Sequence, residues 1–247
     1  MTSANNNFVI LSTQRSGSTW LVDVLDKSED ASVYGELFMR KKMKWLAGSS
    51  DYPQFGEVKG QGWGIRPFSV FTYLNNLYAK PGAVGFKLMY SSLYRYPEIL
   101  LYLWWHRIRV VHLIRKNLLD VQISTEMART SGQWHLTSNG ERPQTTSVYL
   151  SPDILVTRLK RLQAKVKTIQ KLLRWFRLPH LEITYEALLE NASRFESIWR
   201  FLSLNPPIGS FQTSFSKIRQ ASYVDEVRNY EEVKQTLQGT EFAIFME

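Results

Sequence analysis

Short apolar runs recur along the chain, and stretches with a helical spacing of apolar residues lie between them. The runs are rich in Val, Ile, Leu and Phe, and they cover residues 8–13, 84–90, 109–115 and 181–185. Polar or helix-starting residues follow each run. A strand that is apolar at consecutive positions is typical of a parallel sheet covered on both faces. The pattern therefore predicts an α/β fold with a central parallel sheet flanked by helices.

The helical spacing is clearest in three stretches, at residues 18–27, 118–130 and 151–176. In the third stretch, Ser151 is a suitable N-cap and Pro152 occupies the first helical position, where an N–H group is not needed. The segment 41–81 is rich in Gly, Pro and aromatic residues, so it is predicted to be irregular. Such a segment forms either the mouth of a substrate site or a surface excursion.

Composition narrows the class of protein. The 247 residues are 44% hydrophobic, which favours one globular domain over residues 1–247. The absence of cysteine excludes disulfides and cysteine-ligated metals, and it suits a reducing compartment. The first residues, MTSANNNF, lack the pattern of a signal peptide, so we expect a cytoplasmic protein.

Charge gives two further expectations. The most apolar stretch is interrupted by His106, Arg107 and Arg109, so no transmembrane segment is predicted. The net charge of +9 suggests an anionic partner, such as a nucleotide, an acidic lipid surface, a polyanion or nucleic acid. Composition alone favours the simpler explanation that this charge serves ordinary solubility.

A polar loop between the first apolar run and the first predicted helix has the composition of an anion-binding site. It has the sequence QRSGS, residues 14–18, and its backbone N–H groups would lie at a helix N-terminus. Gly17 allows close approach of the backbone, Arg15 adds a guanidinium group, and Thr19 adds a hydroxyl donor. A nucleoside triphosphatase would have lysine where Ser18 stands, so chemistry on a magnesium triphosphate is disfavoured.

A second candidate anion site follows the third apolar run. Arg115 ends this run, and Ser124 lies nine residues later in the next predicted helix. If the strand is parallel to the first one, Arg115 lies at the sheet edge where open α/β folds bind ligands. The alternative is a structural ion pair between Arg115 and either Asp120 or Glu126.

In these motifs and their order, the chain resembles the sulfotransferases that use 3′-phosphoadenosine 5′-phosphosulfate (PAPS), particularly bacterial single-domain carbohydrate and natural-product enzymes. TQRSGSTW, at 13–20, resembles their loop for the 5′-phosphosulfate, and HLIRKNLLDVQIS, at 112–124, resembles their element for the 3′-phosphate. LEITYEALLEN, at 181–191, resembles the segment whose tyrosine, here Tyr185, approaches the adenine. The tail VRNYEEVKQTLQGTEF also resembles the end of such proteins, so the resemblance spans residues 8 to about 242.

The resemblance implies a P-loop-like sulfotransferase fold and a metal-independent activity. The implied reaction moves a sulfuryl group from PAPS to a hydroxyl or amine of a carbohydrate, glycolipid or small natural product. The implied cofactor-binding residues are Arg15, Ser16, Gly17, Ser18, Thr19, Trp20, Arg115, Ser124 and Tyr185. No nucleic-acid partner is expected, and neither the acceptor nor the oligomeric state follows from the resemblance.

Two cations are candidates for charge stabilisation. Sulfuryl transfer has, by analogy with phosphoryl transfer, a loose in-line transition state in which the leaving phosphate oxygen gains negative charge. Arg15 would stabilise that charge, and the resemblance implies that Lys87, in GAVGFKLMY, lies beside the transferring sulfate. The alternative for Lys87 is a surface lysine at a strand end.

An acceptor hydroxyl also needs a general base. Glu36, in SVYGELF, follows the first helix and a short turn, and the resemblance implies that it is the catalytic base. One alternative is that Glu36 only forms an ion pair with Arg40. The other is that the base is His135, in SGQWHLT, beside a tryptophan that could line an acceptor pocket.

Two other classes of function remain open. One is a P-loop nucleotide-dependent kinase, which would prefer ATP with magnesium and is disfavoured by Ser18 at the lysine position. The other is a non-catalytic binder of polyanions that uses the basic stretch 158–177. The cations of that stretch are interleaved with Leu, Val and Ile, which is typical of a solvated amphipathic helix. A steep salt dependence of DNA or heparin binding, without affinity for PAPS, would identify such a binder.

Overall fold

Five parallel strands form one sheet, which confirms the predicted α/β fold with a central parallel sheet. The computed structural model describes residues 6–39, 52–58, 65–131, 147–207 and 222–246. The strands are β1 (Phe8–Ser12), β2 (Ala31–Glu36), β3 (Ala83–Met89), β4 (Arg109–Ile114) and β5 (His180–Thr184). Their spatial order is β2-β3-β1-β4-β5, so β1 is the central strand.

Most of the remaining described residues are helical. The helices are α1 (Ser18–Leu25), α2 (Phe55–Val58), α3 (Phe68–Tyr78), α4 (Tyr90–Arg95), α5 (Glu98–Trp105), α6 (Leu118–Ser131), α7 (Pro152–Trp175), α8 (Tyr185–Glu190), α9 (Arg194–Leu202), α10 (Tyr223–Glu226) and α11 (Tyr230–Leu237). A short 3-10 helix covers Ala243–Met246. As predicted, α7 begins at Pro152.

The chain divides into two units, residues 1–114 with 169–212 and residues 115–168 with 213–247. The first unit contains the sheet. The described part of the second unit is helical apart from an isolated bridge between Val148 and Val227. Its core joins α6, α7 and α11 through Leu119, Leu159 and Leu237.

Helices cover both faces of the sheet in the first unit. On one face, α1 and α9 pack against β1 in a buried cluster that includes Ile10, Leu21 and Phe195. On the other face, Tyr78 of α3 contacts Phe86 of β3, with ring centroids 6.2 Å apart. Strands β1 and β3 are therefore buried on both sides, as their largely apolar sequences predict.

Some elements differ from the sequence prediction. The prediction that 41–81 is irregular is wrong for Phe55–Val58, which forms α2, and for Phe68–Tyr78, which forms the longer helix α3. Helix α3 buries Val70, Leu74 and Leu77, which follow the spacing of one helix face, but its many aromatic residues obscure that spacing. Strand β2 was not predicted, because it is a short edge strand that contains polar and glycine positions between its apolar ones.

The buried His112 of β4 contacts polar side chains on both of its ring nitrogens. His112 has no exposed surface. Its Nε2 lies 2.5 Å from the Tyr90 hydroxyl, and its Nδ1 lies 3.6 Å from Glu182 Oε1. Burial lowers the pKa of His112 to about 4, although the Glu182 carboxylate acts in the opposite direction. The folded protein therefore keeps this imidazole neutral at pH values where an unfolded histidine is protonated.

We predict that His112 makes the protein acid-sensitive. Between pH 6.5 and about 4 the unfolded chain binds a proton that the folded chain does not bind, so stability falls as the pH falls. The contribution is about 3 kcal/mol over that interval. Urea unfolding at pH 7 and pH 4.5 gives the slope of the unfolding free energy against pH. The contribution of His112 is the difference in this slope between wild type and His112→Gln. Equal slopes for wild type and His112→Gln would contradict this assignment.

Candidate functional site

The loop between β1 and α1 has a backbone conformation that suits an anion. Arg15 and Gly17 both have positive φ values, 60° and 80°, on either side of Ser16. Left-handed residues that alternate with ordinary ones turn successive backbone N–H groups towards a common point. The Ser16 hydroxyl donates a 2.8 Å hydrogen bond to the Thr13 carbonyl and so braces the loop from inside. Helix α1 begins directly afterwards at Ser18.

Gly17 is required by its surroundings as well as by its backbone. A Cβ atom at this position would lie 2.3 Å from the ring of Tyr185, which begins α8. Tyr185 is held in turn by Trp20 in an edge-to-face contact, with ring centroids 5.8 Å apart. Trp20 and Tyr185 are both buried, in the same cluster as Phe195. Both aromatic residues therefore support the loop from the protein interior.

Lys87 connects the loop to Glu36. Its Nζ atom lies 2.7 Å from Glu36 Oε1 and 3.2 Å from Thr19 Oγ1. The side chains of Lys87 and Glu36 are only 7% and 14% exposed. Three residues that the sequence singled out, from α1, β2 and β3, thus form one contact chain.

A bulge in β2 aims Glu36 at Lys87. The pairing of β2 with β3 is regular up to Tyr34, opposite Phe86, and then shifts so that Glu36 lies opposite Lys87. Gly35 is the extra residue. Directly opposed residues of neighbouring strands point to the same face, so the bulge places the carboxylate and the ammonium group on one side of the sheet. Without the bulge, Gly35 would lie opposite Lys87 and Glu36 would face the other side.

These contacts decide whether Lys87 is a surface residue and which residue forms an ion pair with Glu36. Lys87 is a buried residue, and the alternative of a surface lysine at a strand end is wrong. Glu36 has Lys87 as its ion-pair partner. Arg40 and His135, the residues of the two alternatives for Glu36, lie outside the described residues.

Arg115 directly follows β4 and begins the second unit. Its Nη2 atom lies 2.7 Å from Asp120 Oδ2, the partner that the structural alternative named, while Glu126 accepts hydrogen bonds from Arg129 and Arg158. Ser124 lies on α6, half-buried. The sequence named Asp120 and Glu126 as the two possible partners of Arg115, and in the structure the partner is Asp120.

Sequence reasoning missed the second residue that holds Asp120. The Tyr223 hydroxyl donates a 2.8 Å hydrogen bond to Asp120 Oδ1, and Asn117 donates a 2.7 Å hydrogen bond to the same hydroxyl. Both carboxylate oxygens are therefore engaged, which fixes the carboxylate that orients Arg115. Asn117 also accepts a hydrogen bond from the Asp120 backbone N–H at the start of α6. The position of Asn117 at the start of a predicted helix was the only signal in the sequence for these contacts.

The described residues show neither a metal-binding cluster nor a membrane-spanning helix. The parts of the chain that the structure describes contain no cluster of three or more His, Asp or Glu side chains arranged for a metal ion. Among the described helices, none is both long enough and apolar enough to cross a membrane.

The chain is similar to solved structures of two sulfotransferases. The sulfotransferase from Alicyclobacillus acidocaldarius is 13% identical, with a TM-score of 0.47, and the match covers 95% of this chain and 96% of that one. Mouse SULT7A1, solved in complex with PAP, is 10% identical, with a TM-score of 0.45 and coverage of 98% and 88%. No protein-family model and no curated protein sequence matches the chain.

Proposed function

We propose that this protein transfers a sulfuryl group from PAPS to a hydroxyl or amine of a carbohydrate, glycolipid or small natural product. The observation that carries the proposal is the Lys87 ammonium, which contacts both Thr19 beside the anion-binding loop and the Glu36 carboxylate. An anion loop, a buried cation and a carboxylate in one contact chain supply what group transfer to a hydroxyl requires. The resemblance of the sequence motifs selects sulfuryl transfer among such reactions.

The loop fits the 5′ end of the proposed donor. Its donors are backbone N–H groups, the Arg15 guanidinium, and the hydroxyls of Ser18 and Thr19, and it has no lysine at Ser18 to pair with a triphosphate. PAPS, when bound, supplies the sulfuryl group and a phosphate leaving group. Arg15 and Lys87 would stabilise the charge on that phosphate, more strongly in the transition state than before it. Burial strengthens the effect of Lys87, since little water screens its charge.

Glu36 is proposed as the proton acceptor for the acceptor hydroxyl. In the free protein its carboxylate is paired with Lys87. An anion at the loop would compete for the Lys87 ammonium, which would leave the carboxylate more able to accept a proton. An amine acceptor would depend less on this step, because a neutral amine is already nucleophilic.

Arg115 and Ser124 are proposed to bind the 3′-phosphate. The pair with Asp120 reduces the attraction of Arg115 for an anion, but it also orients a guanidinium group that has five N–H donors. Since Tyr223 fixes Asp120 in turn, the guanidinium is oriented before the nucleotide arrives. Preorganised charges bind anions better than mobile ones, because less freedom is lost on binding.

We predict that the protein binds 3′-phosphoadenosine 5′-phosphate (PAP) without a metal. Titration calorimetry in EDTA should show binding to PAP and weaker binding to adenosine 5′-phosphate, which lacks the 3′ group. ATP with magnesium serves as the comparison for a kinase. Equal affinity for PAP and adenosine 5′-phosphate would remove Arg115 and Ser124 from the site, and a preference for magnesium ATP would favour the kinase.

Arg115→Ala tests the 3′-phosphate assignment. Loss of a charge-assisted hydrogen bond should weaken PAP binding by on the order of 2 kcal/mol, or about thirtyfold, and leave binding of adenosine 5′-phosphate unchanged. Arg129→Ala is the matched control, since it removes a different arginine–carboxylate pair from the same helical region. If Arg115→Ala weakens both nucleotides equally, or neither, the residue is structural.

Glu36→Gln tests the base. The amide keeps the shape and an oxygen that accepts from Lys87, but it cannot take a proton. With an acceptor identified by screening acceptor classes against labelled PAPS, turnover should fall roughly a hundred- to ten-thousandfold while PAP affinity holds. His135→Asn should keep most of the activity. The opposite pattern would make His135 the base, and full activity of both variants would indicate an acceptor that needs none.

A further inference from the structure

An exposed patch of tryptophan and arginine lies at the amino ends of β4 and β5, away from the site described above. Helices α5 and α7 end there with similar sequences, LWWHRI at 103–108 and LRWFRL at 173–178. Trp105 and Trp175 are the last helical residues, and they are 73% and 77% exposed. A hydrogen bond of 2.9 Å from Arg107 Nη1 to the Arg177 carbonyl joins the two helix ends.

The two helix ends also share an unusual backbone conformation. Arg107 and Arg177 have positive φ values of 53° and 47°. The next residues, Ile108 and Leu178, are buried, and their N–H groups bond to the carbonyls of Leu103 and Leu173. Glycine is the usual residue at this point of a helix end, because a side chain makes the left-handed conformation costly. Two neighbouring arginines in this strained position suggest that their guanidinium groups are used.

The charge of the patch is unbalanced. Among the described residues no carboxylate pairs with Arg107, Arg174 or Arg177: the side chains of Arg107 and Arg174 donate to the carbonyls of Arg177 and Gln170. The sequence has no Asp or Glu at 99–119 or at 154–181, the two segments that supply the patch. A partner of the opposite charge is therefore favoured.

We propose that this patch docks the protein on an anionic lipid surface. Tryptophan prefers the boundary between lipid headgroups and acyl chains, and arginine beside it attracts anionic headgroups. Neighbouring rings are steeply inclined, by 64° for Trp104 and Trp105 and by 76° for Trp175 and Phe176. Rings inclined in this way can each insert separately into a headgroup layer.

Docking in this way leaves the candidate site exposed to solvent. In a parallel sheet the amino and carboxyl ends of the strands lie at opposite edges, and strands of this length separate the edges by roughly 17–20 Å. The patch lies at the amino ends of the strands, while Glu36 lies at the carboxyl end of β2. The proposal does not depend on the identity of the reaction.

Flotation with vesicles of phosphatidylcholine, alone or mixed with phosphatidylglycerol, tests the proposal. The wild-type protein should float with the mixed vesicles only. Arg107→Gly combined with Arg177→Gly should weaken partitioning about thirtyfold, the effect of two arginines near an anionic surface. Because glycine suits the left-handed conformation, which offsets the loss of the Arg107 hydrogen bond, this variant should stay folded, and its thermal unfolding checks this. Trp105→Ser combined with Trp175→Ser should also weaken partitioning at least tenfold.

The matched control removes the same charge elsewhere. Arg161→Gln combined with Lys165→Gln changes two exposed cations on the distant part of α7, and partitioning should stay within about twofold of wild type. An equal loss in the control would show diffuse electrostatic adsorption and overturn the proposal. Absence of vesicle binding would also overturn the proposal. So would patch variants that abolish oligonucleotide binding or self-association but leave vesicle binding intact.

Discussion

The candidate site depends on how the protein accommodates the buried ammonium group of Lys87. A buried charge is costly unless it is paired and hydrogen-bonded, and here Glu36 and Thr19 provide both interactions. Those contacts require β2 to pair with β3 in a specific register and α1 to start close to the end of β1. A one-residue slip of β2 would turn Glu36 to the opposite face and leave the ammonium group without its carboxylate. The contacts of Lys87 in the candidate site therefore exist only when β2 and β3 pair in this register.

Two of the three cations that we propose for the nucleotide, Lys87 and Arg115, share one feature. Lys87 and Arg115 each lie 2.7 Å from a carboxylate in the free protein, and both pairs are shielded from solvent. A carboxylate neighbour makes a buried cation tolerable, but it also reduces the attraction for an incoming anion. The two pairs differ in how they would respond. Asp120 is anchored by Tyr223, so it would stay and orient Arg115, whereas Glu36 ends an edge strand beside a bulge and would be released to accept a proton.

The sequence predicts the parts of this structure that depend on local pattern. Strands β1, β3, β4 and β5 lie within one residue of their predicted bounds. The first three are buried along most of their length and are therefore largely apolar at consecutive positions, whereas β5 is an edge strand in which Leu181 and Ile183 carry the pattern. The loop around Gly17 was predicted from its polar and small residues, since these are needed close to a backbone anion site. The contact between Glu36 and Lys87 could not be predicted, because it depends on the bulge at Gly35 and on an edge strand without a clear pattern.

The parallel topology also explains why different groups lie at the carboxyl ends and at the amino ends of the strands in the first unit. Strands β1, β3 and β5 lead into α1, α4 and α8 at their carboxyl ends, so the N-termini of these helices and their N–H groups collect there. Helices that precede a strand end at the amino edge, which brings together the C-termini of α5 and α7 with their carbonyl groups. Basic residues in a last helical turn are favoured by the helix dipole, and Arg174 has that explanation. Arg107 and Arg177 lie beyond the last turn in a conformation that glycine adopts more easily, so the dipole alone does not account for them.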